Sequence, residues 1–184
     1  MEQAKLFGDF ARTDITPDLG TLLMGYPNSD RKAESVRDPL EANALVLRQG
    51  DTTAVLISLT ICILDDADVE SMRRGIQEQT GIDAHNIVIS TVQTHSAPCT
   101  MECWGWCDKD QNYIDLLMAQ SIKAALQASK TLKEIQVGIG TTASDVGVNR
   151  RAIMEDHSVG LGYNPWGVYD PEMTTICLRS AEGP

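Results

Sequence analysis

The sequence has little positive charge and no long apolar run, and each absence excludes a class of function. The chain contains 15 Lys and Arg residues and 26 acidic residues, for a net charge of −11. This balance argues against nucleic-acid binding and leaves no polybasic patch for a membrane surface. No stretch approaches the roughly 18 apolar residues of a membrane span. The start, Met1 to Lys5, lacks the apolar centre of a signal peptide, so we expect a cytoplasmic location.

Aromatic residues and linker-like segments are also scarce. Aromatics make up 5% of the chain, and Trp104, Trp106 and Trp166 are the main apolar groups in predicted loops, which leaves little surface for a long lipid. No internal repeat or low-complexity tract interrupts the sequence. With 184 residues, 42% of them hydrophobic and 22% charged, the chain can bury a core, and we predict a single globular domain over residues 1–184.

The order of apolar segments predicts an α/β fold. Residues 6–16 form an extended segment, and residues 40–48 and 53–62 are strands joined by the turn 49–52. Another β-branched strand follows at 87–92 after a helical stretch. A strand, helix and strand at this spacing form a right-handed crossover with parallel strands. We therefore expect a mixed, partly parallel sheet flanked by helices.

Two helices and two further strands complete the predicted order. The first helix is expected to begin at an N-cap of Asp65 or Asp66 and to end at Gly81. The second begins near Asp110. The apolar faces are predicted to comprise Val69, Met72 and Ile76 in the first helix and Ile114, Met118, Ile122 and Ala125 in the second. Residues 135–139 and 174–178 are predicted strands.

The stretch Asn86 to Pro98, which reads NIVISTVQTHSAP, is the most informative motif for function. An apolar strand there runs into a polar loop whose one titratable side chain is His95. Loops at the carboxyl ends of strands carry the functional groups of many α/β proteins. His95 is therefore the first candidate for acid–base chemistry.

This loop resembles the metal-binding loop of the neutral/alkaline (non-lysosomal) ceramidase family, Ser-Ala-Thr-His-Thr-His-Ser-Gly-Pro. At the first histidine of that pattern, a zinc ligand in the family, this chain has Gln93. The positions that match the pattern are Ser90, Thr94, His95, Ser96 and Pro98. Further segments resemble the family in order and spacing, namely Gly8–Pro17, Met24–Tyr26, Asp38–Leu47, Ala54–Leu59, Val148–Arg151 and Asp170–Glu172.

The resemblance implies an amide hydrolase that uses zinc. In the family, the other zinc ligands lie beyond the part that resembles residues 1–184, so this chain would be the first half of a longer family domain. With Gln93 at one ligand position, we expect no zinc to be bound by this chain alone, since catalytic zinc needs three protein ligands. Where the family has an Asp after the third strand, this chain has Thr60-Ile61-Cys62, which removes another carboxylate. Asp65 and Asp66 lie nearby, but we expect them to cap the helix.

The resemblance also implies a set of site residues. His95 and Arg150 are the expected catalytic residues, since an imidazole can donate a proton and a guanidinium can bind an oxyanion. Gln93, Thr94, Ser96 and Asn149 are expected to bind substrate. The residues alone leave alternatives open: His95 could be a loop histidine bonded to backbone, and either Arg150 or Arg151 could face the site. A Ser96–His95 pair is disfavoured, since adjacent side chains rarely align for proton transfer.

Five cysteines leave several interpretations open. Cys99, Cys103 and Cys107 follow the histidine loop at four-residue spacing, which fits neither paired zinc cysteines nor the usual iron–sulfur patterns. An odd number of cysteines without an export signal argues against a disulfide framework. With Cys62 and Cys177, they are predicted to be small buried side chains. A thiol nucleophile at Cys99 is the alternative.

Three functions follow from these observations. The first is a ceramidase-like amide hydrolase domain that acts on an N-acyl amide or a related small molecule. The second is a non-catalytic relative that binds or assembles, and the third is a fragment without activity of its own. Because a sheet missing its other half exposes apolar surface, we expect a homo-oligomer or a second chain that supplies that half.

Overall fold

A computed structural model describes residues 5–26, 30–102 and 107–180. The chain divides into two compact units, one up to residue 134 and one from residue 135 onward. The first unit holds both helices and the first four strands. The second is built from strands. Trp104, Trp106 and Cys103, named in the sequence-based predictions, lie outside the described residues.

A sheet with helices on one face forms the first unit. Its strands are β1 (Leu6–Asp14), β2 (Glu41–Gln49), β3 (Thr52–Leu59) and β4 (Ile87–Thr91), in the order β4-β3-β2-β1. β3 and β4 are parallel and the other pairs are antiparallel. The helices are α1 (Asp66–Thr80) and α2 (Gln111–Lys130), and a 3-10 turn, Ala84–Asn86, leads into β4.

The core lies between the sheet and the helices. Along β2 and β3, alternate side chains are buried, as expected when one face of a sheet is covered and the other is not. The buried strand residues are Ala42, Ala44, Val46, Val55, Ile57 and Leu59. α2 packs against β1 and β2, and α1 packs against α2, where a side chain at Gly75 would collide with Ile122.

The opposite face of this sheet is only partly covered. Cross-strand pairing places Phe10, Leu45, Leu56 and Val88 in one row, one residue from each strand. Phe10, Leu56 and Val88 are 43–55% exposed. An apolar row of this kind is available for contact with another polypeptide surface.

The helix ends follow the predicted pattern with one difference. Gly81 ends α1 with φ 75° and donates its N–H to Gln77 O at 2.8 Å, a conformation that glycine adopts without strain. Asp110 caps α2 by accepting a hydrogen bond from Tyr113 N at 3.0 Å. Asp65 occupies the N-cap position of α1, but its side chain makes no cap bond. Asp65 is therefore the N-cap residue, as predicted, but it occupies this position without a side-chain hydrogen bond.

The second unit buries none of its described residues. β5 (Lys133–Ala143) starts in the first unit, where two residues pair with β1, and from Ile135 onward it pairs with β8 (Glu172–Ser180). β6 (Arg151–Ile153) and β7 (Val159–Leu161) form a separate pair. Every residue from 135 to 180 is at least partly exposed, including several large apolar side chains, among them Ile139, Ile153, Leu161, Trp166 and Ile176.

The predicted fold class is confirmed. The strand pairs form a mixed sheet in the order β4-β3-β2-β1-β5-β8, with one parallel pair and two flanking helices. The short strands β6 and β7 were not predicted. None of the helices in the described part of the chain is both long and apolar enough to cross a membrane. That residues 1–184 are the first half of a longer family domain stays a prediction.

Candidate functional site

Three strands of the first-unit sheet end on the same side of the sheet. β1, β3 and β4 run in the same direction and end there, while β2 begins there, which follows from their pairing. Backbone bonds continue past the strand ends: Thr60 N donates to Glu41 O at 3.0 Å, and Val92 N donates to Leu59 O at 3.2 Å. These bonds provide a rigid base from which the histidine loop emerges.

The loop after β4 carries the predicted residues Gln93, Thr94, His95 and Ser96. Gln93 is exposed and has φ 57°, an unusual backbone conformation for a residue other than glycine. Thr94 accepts a hydrogen bond through its hydroxyl from Ser96 N at 3.3 Å. From Ala97 to Thr100 the chain is buried. The loop is therefore anchored at both ends and exposes its polar residues between them.

His95 is exposed and is enclosed on one side by a second segment. The ring of Tyr26 meets the His95 ring edge to face, with centroids 5.3 Å apart. Arg31 stacks over Tyr26, with Cζ 4.4 Å from the ring centroid, and its Nη2 donates to His95 O at 2.6 Å. Gly25 lies so close that a Cβ there would be 2.4 Å from Cγ of His95. No ring nitrogen of His95 is hydrogen-bonded to any residue described, Ser96 included.

A cleft of about 800 Å³ adjoins this loop. Four side-chain hydroxyls line it where the strands end, and three are already bonded: Thr16 accepts from Leu40 N at 2.9 Å, Thr60 donates to Glu41 O at 3.1 Å, and Thr94 accepts from Ser96 N at 3.3 Å. Thr94 and Ser96 belong to the histidine loop. The remaining lining includes both charged and apolar side chains, such as Arg31, Asp30, Leu23, Val36, Pro39 and Leu40. The cleft thus combines hydroxyl and charged groups with apolar side chains.

Asn149 and Arg150 belong to the second unit. Asn149 has a structural role there: its Nδ2 donates to Val168 O at 2.9 Å, and its Oδ1 accepts from Arg151 N at 3.0 Å. Arg150 is exposed, and with Arg151 it lines a shallow depression of about 670 Å³. Both arginines are thus available to a ligand of this unit. That Arg150 shares a pocket with His95 stays a prediction.

Two cysteines near the histidine loop form a disulfide. Cys99 and Cys107 are bonded, with their Cα atoms 6.2 Å apart, while Cys177 is an exposed thiol. The prediction that these cysteines are unpaired small side chains is therefore wrong for Cys99 and Cys107. A bonded sulfur carries no thiolate, so the alternative of a Cys99 nucleophile is also wrong for this state.

Lys109 ties the segment after the disulfide to the start of α1. Its Nζ lies 3.1 Å from Asp65 Oδ2 and 2.6 Å from Asp68 Oδ2. The bond to Asp68 is the main cause that raises the pKa of Lys109 above its usual value. The Asp65 carboxylate, at the N-cap of α1, is thus paired with Lys109 and not with a helix N–H group. Of the two carboxylates near the one absent after β3, Lys109 engages Asp65, and Asp66 lies in the first turn of α1.

The side chains present do not fit a zinc site. In residues 5–26, 30–102 and 107–180, no three His, Cys, Asp or Glu side chains come together as ligands. Gln93 stands where the resemblance implies a histidine, and an amide is a poor zinc donor beside imidazole and thiolate. Asp65 is paired with Lys109 and Cys99 is in a disulfide. The donor set for a catalytic zinc is therefore missing from the described part of this chain.

Sequence reasoning missed the contribution of Arg31. It had identified Met24–Tyr26 as part of the family resemblance, but not the contact of Tyr26 with His95. Arg31 acts through a backbone carbonyl 64 positions away, and no residue-type pattern signals such a bond. The one sign in the sequence was the glycine at position 25, which has φ 116° in the structure and permits a close approach of the backbone to another group.

Two solved structures match the fold across nearly the whole chain. A neutral ceramidase from Pseudomonas aeruginosa superposes with a TM-score of 0.82 at 15% identity, over 100% of this chain and 31% of its own length. A structure described as ceramidase complexed with C2 gives a TM-score of 0.80 at 15% identity, over 98% of this chain and 30% of the ceramidase chain. No family model matches the chain, and no curated protein matches it significantly.

These comparisons establish the fold. The chain has the fold of about three tenths of a neutral ceramidase, and the resemblance inferred from its motifs is confirmed at this level. The chain spans less than a third of the length of either structure. At 15% identity, likeness does not extend to activity or substrate.

Proposed function

We propose that the first unit binds the amide group of a small N-acyl substrate in the cleft beside His95, as part of a ceramidase-like amide hydrolase. The observation that carries this proposal is the cleft itself, which lies at the strand ends and combines hydroxyl and charged groups with apolar side chains. An amide needs hydrogen-bond partners, whereas its acyl chain needs apolar contact. Both are available within one cavity of about 800 Å³.

The proposed roles follow from the positions of the side chains. Thr94 and Ser96 line the cleft and supply hydroxyls to the amide, while Gln93 is exposed on the same loop. His95 is the group that can donate a proton to a leaving amine or a developing oxyanion. For Arg150, whose guanidinium is exposed in the second unit, we propose binding of a negatively charged or polar oxygen group. Asn149 contributes by holding the backbone around Arg150 rather than by direct contact.

The proposal assigns this chain substrate binding and leaves hydrolysis to the completed protein. Zinc, where present in a ceramidase-like site, would polarise the amide carbonyl and activate water, but the described residues lack its donor set. Ligands would have to come from another polypeptide segment. We therefore expect binding without turnover for residues 1–184 alone.

Calorimetric titration with N-octanoylethanolamine tests the proposal. We expect saturable binding by the whole chain, and weaker binding by Ser96→Ala and His95→Asn. His85→Asn is the matched control, since His85 lies in the 3-10 turn, where it contacts Asp83. Octanoic acid, which lacks the amide, should bind more weakly than the amide. Equal binding of both compounds, or no effect of the Ser96 and His95 variants, would refute amide recognition in this cleft.

A second candidate is a non-catalytic binding or assembly module. It is favoured by the exposure of the second unit, where Ile139 and Ile176 are 72% and 63% exposed. We propose that this apolar surface is covered by a second copy or by a chain that supplies the rest of the fold. Sedimentation at micromolar concentration should show a species larger than the 20.1 kDa monomer. A single monomeric species without a partner would contradict self-assembly.

A further inference from the structure

We infer that Arg31 and Tyr26 are positioning residues that hold His95 in the loop beside the cleft, an assignment that rests on the proposed function of His95. The cleft lining includes Thr94 and Ser96, on either side of His95, but not His95 itself. Arg31 and Tyr26 contact His95 in different ways. Arg31 bonds its backbone carbonyl at 2.6 Å, and Tyr26 meets its ring at a centroid distance of 5.3 Å and an interplanar angle of 89°. Together they fix both the backbone and the ring of one loop residue.

Arg31 also orients Tyr26. Its guanidinium lies 4.4 Å from the Tyr26 ring centroid, a distance at which a cation is attracted to the face of an aromatic ring. The planar guanidinium can stack on a ring and donate a hydrogen bond at its edge simultaneously, which an ammonium cannot. Arg31 forms no ion pair with any of the described residues, so a carboxylate does not draw it away from these two contacts.

The backbone brings these residues to the histidine loop. Leu23 N donates to Arg31 O at 2.8 Å, and Met24 N donates to Ala97 O at 2.9 Å. Leu23 is also bridged to Pro98. The segment that carries Gly25 and Tyr26 is therefore bonded on one side to Arg31 and on the other to the chain just after His95.

Gly25 allows this close approach. An added Cβ would lie 2.4 Å from Cγ and 2.5 Å from Cβ of His95, well inside the contact distance of two carbon atoms. Gly20 has a similar positive φ, +89°, but nothing lies within 4 Å of the position its Cβ would occupy. An alanine at either position strains the backbone, whereas only the one at Gly25 displaces His95.

The His95 ring resonances in NMR spectra of the whole chain report its position directly. We expect cross-relaxation between the Tyr26 and His95 ring protons, and its loss in Tyr26→Leu and Arg31→Ala. Tyr26→Phe keeps the ring and should retain the contact. Gly25→Ala should shift the His95 resonances, whereas Gly20→Ala should not. Arg48→Ala is the control for loss of an arginine–aromatic contact elsewhere, since Arg48 stacks on Phe7.

The same variants are then titrated with N-octanoylethanolamine. Arg31→Ala should weaken binding about tenfold, the effect of one lost hydrogen bond of about 1.4 kcal/mol. Tyr26→Leu, which removes the edge-to-face ring contact, should weaken it several-fold. Neither substitution should add to the loss in a His95→Asn background. Unchanged His95 resonances in both variants would overturn the inference. If the resonances move but no variant, nor the wild type, binds the amide, the positioning role stands and the proposed function fails.

Discussion

The contrast between the two units predicts a large difference between two isoleucine-to-alanine substitutions. Ile57 in β3 is 1% exposed and lies in register with Ala44 and Ile89 on the neighbouring strands. Removing three carbons at about 0.8 kcal/mol each costs about 2.4 kcal/mol in transfer free energy. A residual cavity raises this cost, so we expect Ile57→Ala to lower the free energy of unfolding by about 3–4 kcal/mol.

Ile139 in β5 provides the matched control. It is also a strand isoleucine but is 72% exposed. Less than a third of the transfer free energy is therefore lost on its substitution by alanine, about 0.7 kcal/mol. The lost strand preference of isoleucine is common to both variants and cancels in their difference. Urea denaturation followed by far-UV circular dichroism should therefore separate them by about 2–3 kcal/mol. Values within about 0.5 kcal/mol of each other would refute the assignment of the core to the first unit.

Three further predictions concern single groups. Burial, with the nearby charges of Asp14 and Asp110, raises the pKa of Tyr113 above its usual range. Because the folded state then holds a proton that the unfolded chain loses, the free energy of unfolding should fall as pH rises above about 10. The Tyr113→Phe variant should show a weaker pH dependence. The disulfide should protect Cys99 and Cys107 from alkylation, and its reduction should cost about 2–3 kcal/mol for a loop of this length; alkylation of both without reductant would exclude it. Purified chain should contain no stoichiometric zinc by elemental analysis; one tightly held equivalent would refute the argument from the donor set.

The strands of the first unit could be predicted because their burial is periodic. In β3, the buried residues Val55, Ile57 and Leu59 alternate with exposed or half-exposed ones, which is the pattern that a one-sided sheet produces. β6 and β7 are three residues long, and a segment that short has no measurable period. For α2, the predicted stripe found the buried residues Ile114 and Ala125 but missed others, Leu117 among them, because two successive four-residue steps drift from the helical period of 3.6 residues.

The candidate site was predictable only in its local part. The loop of His95 follows a strand whose apolar run is visible in the sequence, so its place at the sheet edge could be expected. The contribution of Arg31 could not be expected, since its hydrogen bond to His95 O depends on how a distant loop folds back over the histidine. The disulfide was not predicted because the odd number of cysteines, five, argued against pairing. An odd number excludes only the pairing of every cysteine and is compatible with one disulfide.

The parallel pairing of β3 with β4 bears on the order in which the molecule folds. β2 and β3 are joined by a tight turn, since Gln49 pairs with Thr52, whereas Val55 pairs with Ile87, 32 positions further along the chain. Closing the longer loop costs more chain entropy and requires α1 to be in place first. We expect the hairpin to form early and β4 late. The histidine loop, which β4 carries, would then be among the last parts of the first unit to become ordered.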